Sequence, residues 1–454
     1  MKKITPFIFV LLLSSFSASS GIFPQDDAVT EESGGSELPE NSMPDEEMDS
    51  AGEPGEFILY GFFRNMAHGI ISDEKKMVSS HYRARLGMAL SHEKLKADFS
   101  ADTDFIIANY TDSPEFDLYW RSMVRNRALS LEKDSPSREY LARESVHRAT
   151  IAYESQKLIV KMGRFADSWG QSRLVNPLDL ITPSGPFLYD MEDQPGVDGI
   201  LAQYFTGQFN YLEFAVIPLR RQGGGADKMN AEDVNFLFRH KITLDSTDFF
   251  YTAGTHYSSY VAGGDLNVTA LGASFRLAYL YRRNKSVSMR IEDPVTGIPM
   301  EIKAPHRDVH TGVAGFGYAF WGKLRTNMEV LYNGSNIREI PELEPLRNLE
   351  ILTPGTSADD AAFYATAGRW VTHNPWFFNI GLGMDATPVL TLDFILLYDI
   401  EGNATYLNPS ITGSLGDNAN AVFSYRHPVD FKSGKENDFS SMETEILAMI
   451  RWYF

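Results

Sequence analysis

The stretch His81-Tyr-Arg-Ala-Arg-Leu-Gly-Met-Ala-Leu90, followed closely by Leu95-Lys-Ala-Asp-Phe-Ser-Ala-Asp102, decides the fold class. In the first run Tyr82, Ala84, Leu86, Met88 and Leu90 alternate with His81, Arg83, Arg85, Gly87 and Ala89. In the second, Leu95, Ala97, Phe99 and Ala101 alternate with Lys96, Asp98, Ser100 and Asp102. An extended chain points successive side chains to opposite faces, so each run has one apolar and one polar or small face. Only a short polar break around Glu93-Lys94 separates them, which reads as a hairpin.

The same grammar continues downstream. Short turns fall near 155–156, 206–207, 245–247, 321–322, 387–388 and 417–418, and long polar connections near 107–143, 166–197, 220–232, 284–307, 334–373 and 430–440. Alternating short and long connections are the asymmetry of an outer-membrane barrel, with short periplasmic turns and long external loops. The pattern predicts an all-β fold, a transmembrane antiparallel β-barrel of about 16 strands (roughly 14 to 18) over residues 57–454. The stretch 259–283 does not parse into a hairpin. A barrel this wide leaves an aqueous lumen. No run of about 20 apolar residues exists to span a bilayer as a helix.

Composition narrows the function classes. The chain has no cysteine, which excludes disulfides, thiol catalysis, Cys-ligated metals and lipid attachment at an N-terminal Cys. Its 30 Phe and 21 Tyr favour strands. The net charge of −19 is concentrated: twelve acidic residues and no Lys or Arg lie between Asp26 and Glu56. The rest of the chain is only mildly acidic and has no basic patch, so no nucleic-acid partner is expected. Lys2 and Lys3, the apolar run Ile4 to Leu13 and the small residues Ser14 to Gly21 read as a secretory signal, residues 1–20 being cleaved. Residues 21–56 read as a disordered acidic periplasmic tail.

The chain ends Glu443-Thr-Glu-Ile-Leu-Ala-Met-Ile-Arg-Trp-Tyr-Phe454, placing Ile446, Ala448, Ile450, Trp452 and Phe454 on one apolar face. Soluble proteins avoid such an exposed apolar edge. The terminal Phe closing an alternating strand resembles the signal by which outer-membrane barrels are recognised by their assembly machinery. That resemblance implies a role in assembly for Ile450, Trp452 and Phe454, with the lipid bilayer and lipopolysaccharide as surroundings. Tyr60, Phe62, Trp376, Phe378, Tyr398 and Trp452 fall near strand ends and fit interfacial girdles.

Taking the polar face of each strand as inward gives the lumen candidates. The basic ones are Arg83, Arg85, Lys96, Arg148, Lys161, Arg239, Lys241, Arg276 and Arg325; the acidic ones are Asp98, Asp102, Glu213, Glu329, Asp385, Asp393, Asp399 and Glu445. Such charges are costly against lipid and tolerable in a hydrated pore. Both signs occur in similar number, so only weak charge selectivity is expected. Arg83 and Arg85 beside Asp98 and Asp102 suggest pairing across the lumen or between strands.

One loop carries a motif: Gly163-Arg164-Phe-Ala-Asp-Ser-Trp169-Gly170-Gln-Ser-Arg173-Leu-Val-Asn176-Pro177-Leu-Asp179, then Pro183 and, at the next strand, Asp198-Gly199. Asn before Pro favours a turn and Asp179 can cap a short helix, so the loop 166–197 is expected to be ordered. It either folds inward to constrict the lumen, with Trp169 as wedge and Arg164 or Arg173 at the eyelet, or packs over the rim. These residues resemble a group of largely uncharacterised Gram-negative, porin-like outer-membrane barrels carrying G-R-x4-W-G followed by N-P-x-D in an early external loop. A weaker likeness is to alginate-export and capsule-anchoring barrels.

The ten histidines are scattered. His306 and His310 flank Asp308, but not on a helix where one face would gather them, so no metal, cofactor or catalytic constellation is expected. The leading expectation is a non-enzymatic, porin-like channel for passive diffusion of small hydrophilic solutes. A barrel that binds or exports surface polysaccharide, and a non-conducting structural or lipid-handling barrel, remain as alternatives; the oligomeric state is left open.

Overall fold

The computed structural model describes residues 55–454 except 72–75, 112, 114–115, 117–119, 121–128, 130, 138, 183–193, 195, 219–233, 257–258, 284–286, 293–298, 305–306, 342–371, 433 and 441. For 287–292 and 299–304 it describes the backbone alone. The expected signal peptide 1–20 and nearly all of the acidic tail lie outside the described residues.

The strands run β1 Glu56–Ile71, β2 Lys76–His92, β3 Leu95–Ala108, β4 Glu132–Pro136, β5 Tyr140–Glu154, β6 Leu158–Phe165 and β7 Val197–Phe205. They continue with β8 Tyr211–Pro218, β9 Val234–Leu244, β10 Thr247–His256, β11 Ser259–Ala270, β12 Ala273–Arg283, β13 Val287–Glu292 and β14 Pro299–Ala304. The last are β15 Asp308–Phe320, β16 Leu324–Asn333, β17 Trp376–Thr387, β18 Leu390–Asp399, β19 Ala404–Ser414, β20 Ala419–Asp430 and β21 Thr444–Tyr453. Eighteen of these close into one antiparallel ring in chain order; β4 adds to the ring by pairing with β5, and β13–β14 form a separate hairpin, both within long connections. β1 pairs back onto β21 from Phe62↔Tyr453 to Ile71↔Thr444, so the ring has no edge. Closure is what a bilayer demands, because each unpaired backbone group in hydrocarbon costs several kcal/mol.

Eighteen strands is the top of the range read from the sequence. The stretch 259–283 is the hairpin β11–β12, turning at Leu271-Gly272. Its pattern is blurred for a physical reason. Val261 on its inner face packs into an apolar cluster, glycines occupy 263 and 264, and a leucine sits in the turn.

Alternation sorts the wall as expected. Leu86, Met88, Phe99 and Trp452 are exposed on the outer face, whereas Arg85, Asp102 and Arg451 are buried on the inner one. Two girdle expectations do not hold: Phe62 is buried inside beneath the Arg85 and Arg451 guanidiniums, and Tyr60 donates to inward Asp98 at 2.5 Å. The run Tyr60-Gly61-Phe62-Phe63 is apolar on both faces, so its parity is hidden until register is known. The outward position between them is Gly61, whose open space holds the Phe454 ring; Gly61 and Phe454 also exchange two backbone hydrogen bonds of 3.0 Å.

Candidate functional site

The short β6 ends at Phe165, and the chain leaves the wall there to return at Val197. Arg164 fixes the point of departure. It is 1% exposed, bonds both Asp198 oxygens at 2.7 and 3.0 Å, and donates to the carbonyls of Val146 (2.8 Å) and Leu129 (2.7 Å). Leu129 N–H donates in turn to Asp198, and β4 pairs with the upper part of β5, filling the wall above β6. Arg164 thus acts as a clamp at the loop base rather than as an eyelet side chain.

The two halves of the motif fold into one unit. Asn176 donates to the Trp169 carbonyl at 2.7 Å and accepts from Leu178 N–H. Asp179 accepts from Ser168 Oγ at 2.6 Å and from Trp169 N–H at 3.4 Å. Gly170 has φ +94°, and a Cβ there would strike the Asn176 side chain, so only glycine suits the position. Burial pushes the Asp179 carboxyl up to about 7, against the lowering effect of its hydrogen bonds. Around this unit Trp169, Leu178, Leu180 and Ile181 are buried in a cluster with the inner wall, including Leu201, Ile217, Leu237 and Val261. The Leu178 side chain packs at the bare backbone of Gly263.

The tip reaches β16. Glu329 accepts the backbone N–H groups of Arg173, Leu174 and Val175 at 2.7, 3.1 and 3.2 Å, and Leu174 packs at Gly381 on β17. β16 lies eight strands round the wall from β6. At about 4.8 Å per strand that arc is at least ~38 Å, while eight residues reach at most ~29 Å. The loop therefore cuts across the interior. The Arg173 side chain is exposed at this tip, with no partner among the described residues.

The remaining lumen candidates all lie on the inner face, mostly paired. Arg85 grips Asp102 at 2.6 and 2.7 Å, and Arg83 grips Asp104 at 2.6 and 3.1 Å, each across adjacent positions of β2 and β3. Lys96 meets Glu154, Lys161 meets Asp167, and Lys241 meets Asp248. Arg239 bonds Glu213 at 2.7 Å and lies 4.8 Å over the Trp169 ring. Arg148 donates to the Gln194 carbonyl, Arg276 to Asn327 and Arg325 to Asp385, with Asp393 opposite Gly383 beside it. Asp399 holds the external ends through Gly402, Asn374 and Asp438; Glu445 lies 3.7 Å from His68 and 3.6 Å from Arg426. His310 and Asp308 bond Tyr279 and Tyr281; His306 lies outside the described residues.

A second inward connection escaped the sequence reading. Tyr110, Phe116 and Trp120, from the connection 109–139, are buried against Met66, Ile70, Met77, Leu141 and Leu447. Trp120 donates to the Tyr110 hydroxyl and stands edge-on to His81 at 5.1 Å. The signal was present as four aromatics, Tyr110, Phe116, Tyr119 and Trp120, within eleven residues of one long loop.

No family model matches the chain, and no curated protein matches it in sequence. Solved structures do resemble it. OccAB1 of Acinetobacter baumannii superposes with a TM-score of 0.52 at 9% identity, covering 88% of this chain and 96% of that one. OccK8 (OprE) of Pseudomonas aeruginosa gives 0.53 at 10%, covering 88% and 98%. The outer membrane protein opdK of Pseudomonas aeruginosa gives 0.50 at 8%, again covering 88% and 98%. The fold is that of an outer-membrane β-barrel. At these identities the likeness concerns the fold.

Proposed function

We propose that the protein is a channel for passive diffusion of small hydrophilic solutes across the outer membrane, narrowed by the loop 166–197. One observation carries the reading: the N–H groups at 173–175 bonded to Glu329 lay an ordered strap across an otherwise wide interior. An eighteen-strand ring alone would leave a broad aqueous lumen, whereas a strap fixed at both ends divides it into a selective passage. In this reading Arg173 borders the passage, while Trp169, buried against the inner wall, holds the strap in place rather than acting as a wedge in the opening. The paired charges of the inner wall keep it hydrated without imposing a strong field of either sign. The outward residues Ile450, Trp452 and Phe454 serve as the assembly signal, consistent with the fit of Phe454 at Gly61. The G-R-x4-W-G and N-P-x-D elements, which the structure joins through Asn176 and Asp179, are the signature of the strap.

Planar-bilayer conductance of the purified protein tests this reading. Small stepwise currents are expected, with larger steps after deletion of 166–190. Absence of current in both forms would overturn it, and block by one solute or polymer would name a ligand.

A further inference from the structure

The end of the barrel where β1 begins and β21 ends is bounded by eight short turns, and their chemistry is unusual. Periplasmic turns are ordinarily built from Gly, Asn and Asp. Here five of the six turns from β7–β8 to β19–β20 present an exposed apolar side chain, Phe209, Leu271, Trp321, Val389 and Leu415, and the sixth, Asp245-Ser246, follows exposed Leu244 at the end of β9. Leu271 is 100% exposed and Trp321 87%. Both have positive φ, +56° and +51°, each followed by a glycine that also has positive φ. A turn whose first residue has positive φ favours Asn, Asp or Gly there, and Glu93 and Asp245 hold that place in two other turns. Leu and Trp therefore carry backbone strain and apolar exposure at the same residues. In water neither choice has a compensation.

We propose that this arc of turns is embedded in the headgroup-to-acyl boundary of the membrane's inner leaflet, with Leu271 and Trp321 as its anchors. The occupant is lipid because the turns continue the lipid-facing wall. Tyr318 and Phe320, on the outer face of β15, contact each other at 4.7 Å, and Phe320 contacts Trp321 at 5.8 Å, so one aromatic row descends the wall onto the turn tip. Tyr318 also stands beside the Gly272 turn. Lys323, exposed next to Trp321, suits the phosphate level. The two other turns, at Glu93-Lys94 and Ser155-Gln156-Lys157, neighbour each other in the ring and have polar tips, with exposed Leu95 at the start of β3 beside the first. Apolar turns on one arc and polar turns on the other lean the barrel so that the arc from β7 to β20 sits deeper.

Since the chain has no cysteine, single-cysteine variants report cleanly. Leu271→Cys, Trp321→Cys and Lys94→Cys of the full chain, labelled with a polarity-sensitive fluorophore, are reconstituted in phosphatidylcholine vesicles with and without brominated acyl chains. Labels at 271 and 321 are expected to emit to the blue and be quenched by the brominated lipid. Their iodide quenching should be at least about threefold weaker than at 94. If 271 and 321 are quenched by iodide as strongly as 94, the proposal is overturned, and a periplasmic protein becomes the occupant to seek. Loss of iodide-shielded tryptophan emission in Trp321→Phe, read without any label, is the independent check; unchanged shielded emission would also overturn it.

Discussion

Replacing Glu329 by Gln should release the strap without disturbing the wall. The carboxylate accepts three N–H groups at 2.7, 3.1 and 3.2 Å from a site that is 1% exposed. One carboxylate oxygen takes Arg173 and the other takes both Leu174 and Val175, so an amide oriented to keep the latter pair loses the Arg173 bond and the charge assistance of the other two. Hydrogen bonds to a charged acceptor contribute about 1.5–3 kcal/mol each and neutral ones about 1, so one lost and two weakened bonds give a gross loss of about 3–6 kcal/mol. Relief from burying a charge offsets part of it, leaving about 3 kcal/mol. At 1.4 kcal/mol per decade that is roughly a hundredfold shift from the docked toward the undocked strap. The assay is single-channel recording. The wild type should hold a steady conductance, and Glu329→Gln should show frequent excursions to a larger level approaching that of the 166–190 deletion. A variant with unchanged conductance and noise would refute the assignment of Glu329 as the anchor.

Asp179 supplies a pH dependence. Its folded value of about 7 exceeds the roughly 3.9 of a free carboxyl, so between these values the folded loop holds a proton that the undocked loop releases. Loop stability is fully present below about 4 and falls as pH rises through about 7, by up to ~4 kcal/mol. Excursions should therefore become rarer from pH 8 to pH 5, and Asp179→Asn should be quiet at both. Arg164→Gln strands the buried Asp198 at an expected cost of about 3–5 kcal/mol, read as faster protease cleavage of the 129–146 and 166–197 segments. Gly61→Val places atoms where the Arg85 carbonyl and the Phe454 ring already lie, 2.4 and 2.7 Å from the Cβ position, and should reduce the heat-modifiable folded band on gels. Arg173→Ala should shift the weak ion selectivity toward cations in reversal-potential measurements, whereas Lys96→Ala, at a site paired with Glu154, should change it less.

Period-two patterning and connection length were enough to place seven of the eight short turns and six long loops, though not the turn at 271–272 or the connection 400–403, because register against lipid leaves one face apolar along most strands. They failed where the inner face is apolar too. Val261 and Gly263 meet the strap, Phe62 meets two guanidiniums, and neither contact is visible from strand periodicity. The motif was legible as an ordered loop, but its direction was not. That depends on Glu329, some 150 residues away and otherwise one more inward carboxylate. Arg164 illustrates the same limit: a conspicuous loop arginine serves the wall, and its partner Asp198 was noted only as the residue opening the next strand.

The pairing of inner charges bears on selectivity. Arg83, Arg85, Arg239 and Arg325 are each met by a carboxylate on the same or a neighbouring strand, so their fields fall off as dipoles rather than as single charges. In the proposed channel, what remains to distinguish solutes is the strap itself: its fixed span between Arg164 and Glu329, held by the buried Trp169 ring under Arg239, and the exposed Arg173 at its tip. On that reading size and the chemistry of one tip, rather than net lumen charge, set what passes. Because both anchors are charge-assisted hydrogen bonds in buried sites, added salt should screen them little, and the conductance level should stay proportional to bulk conductivity.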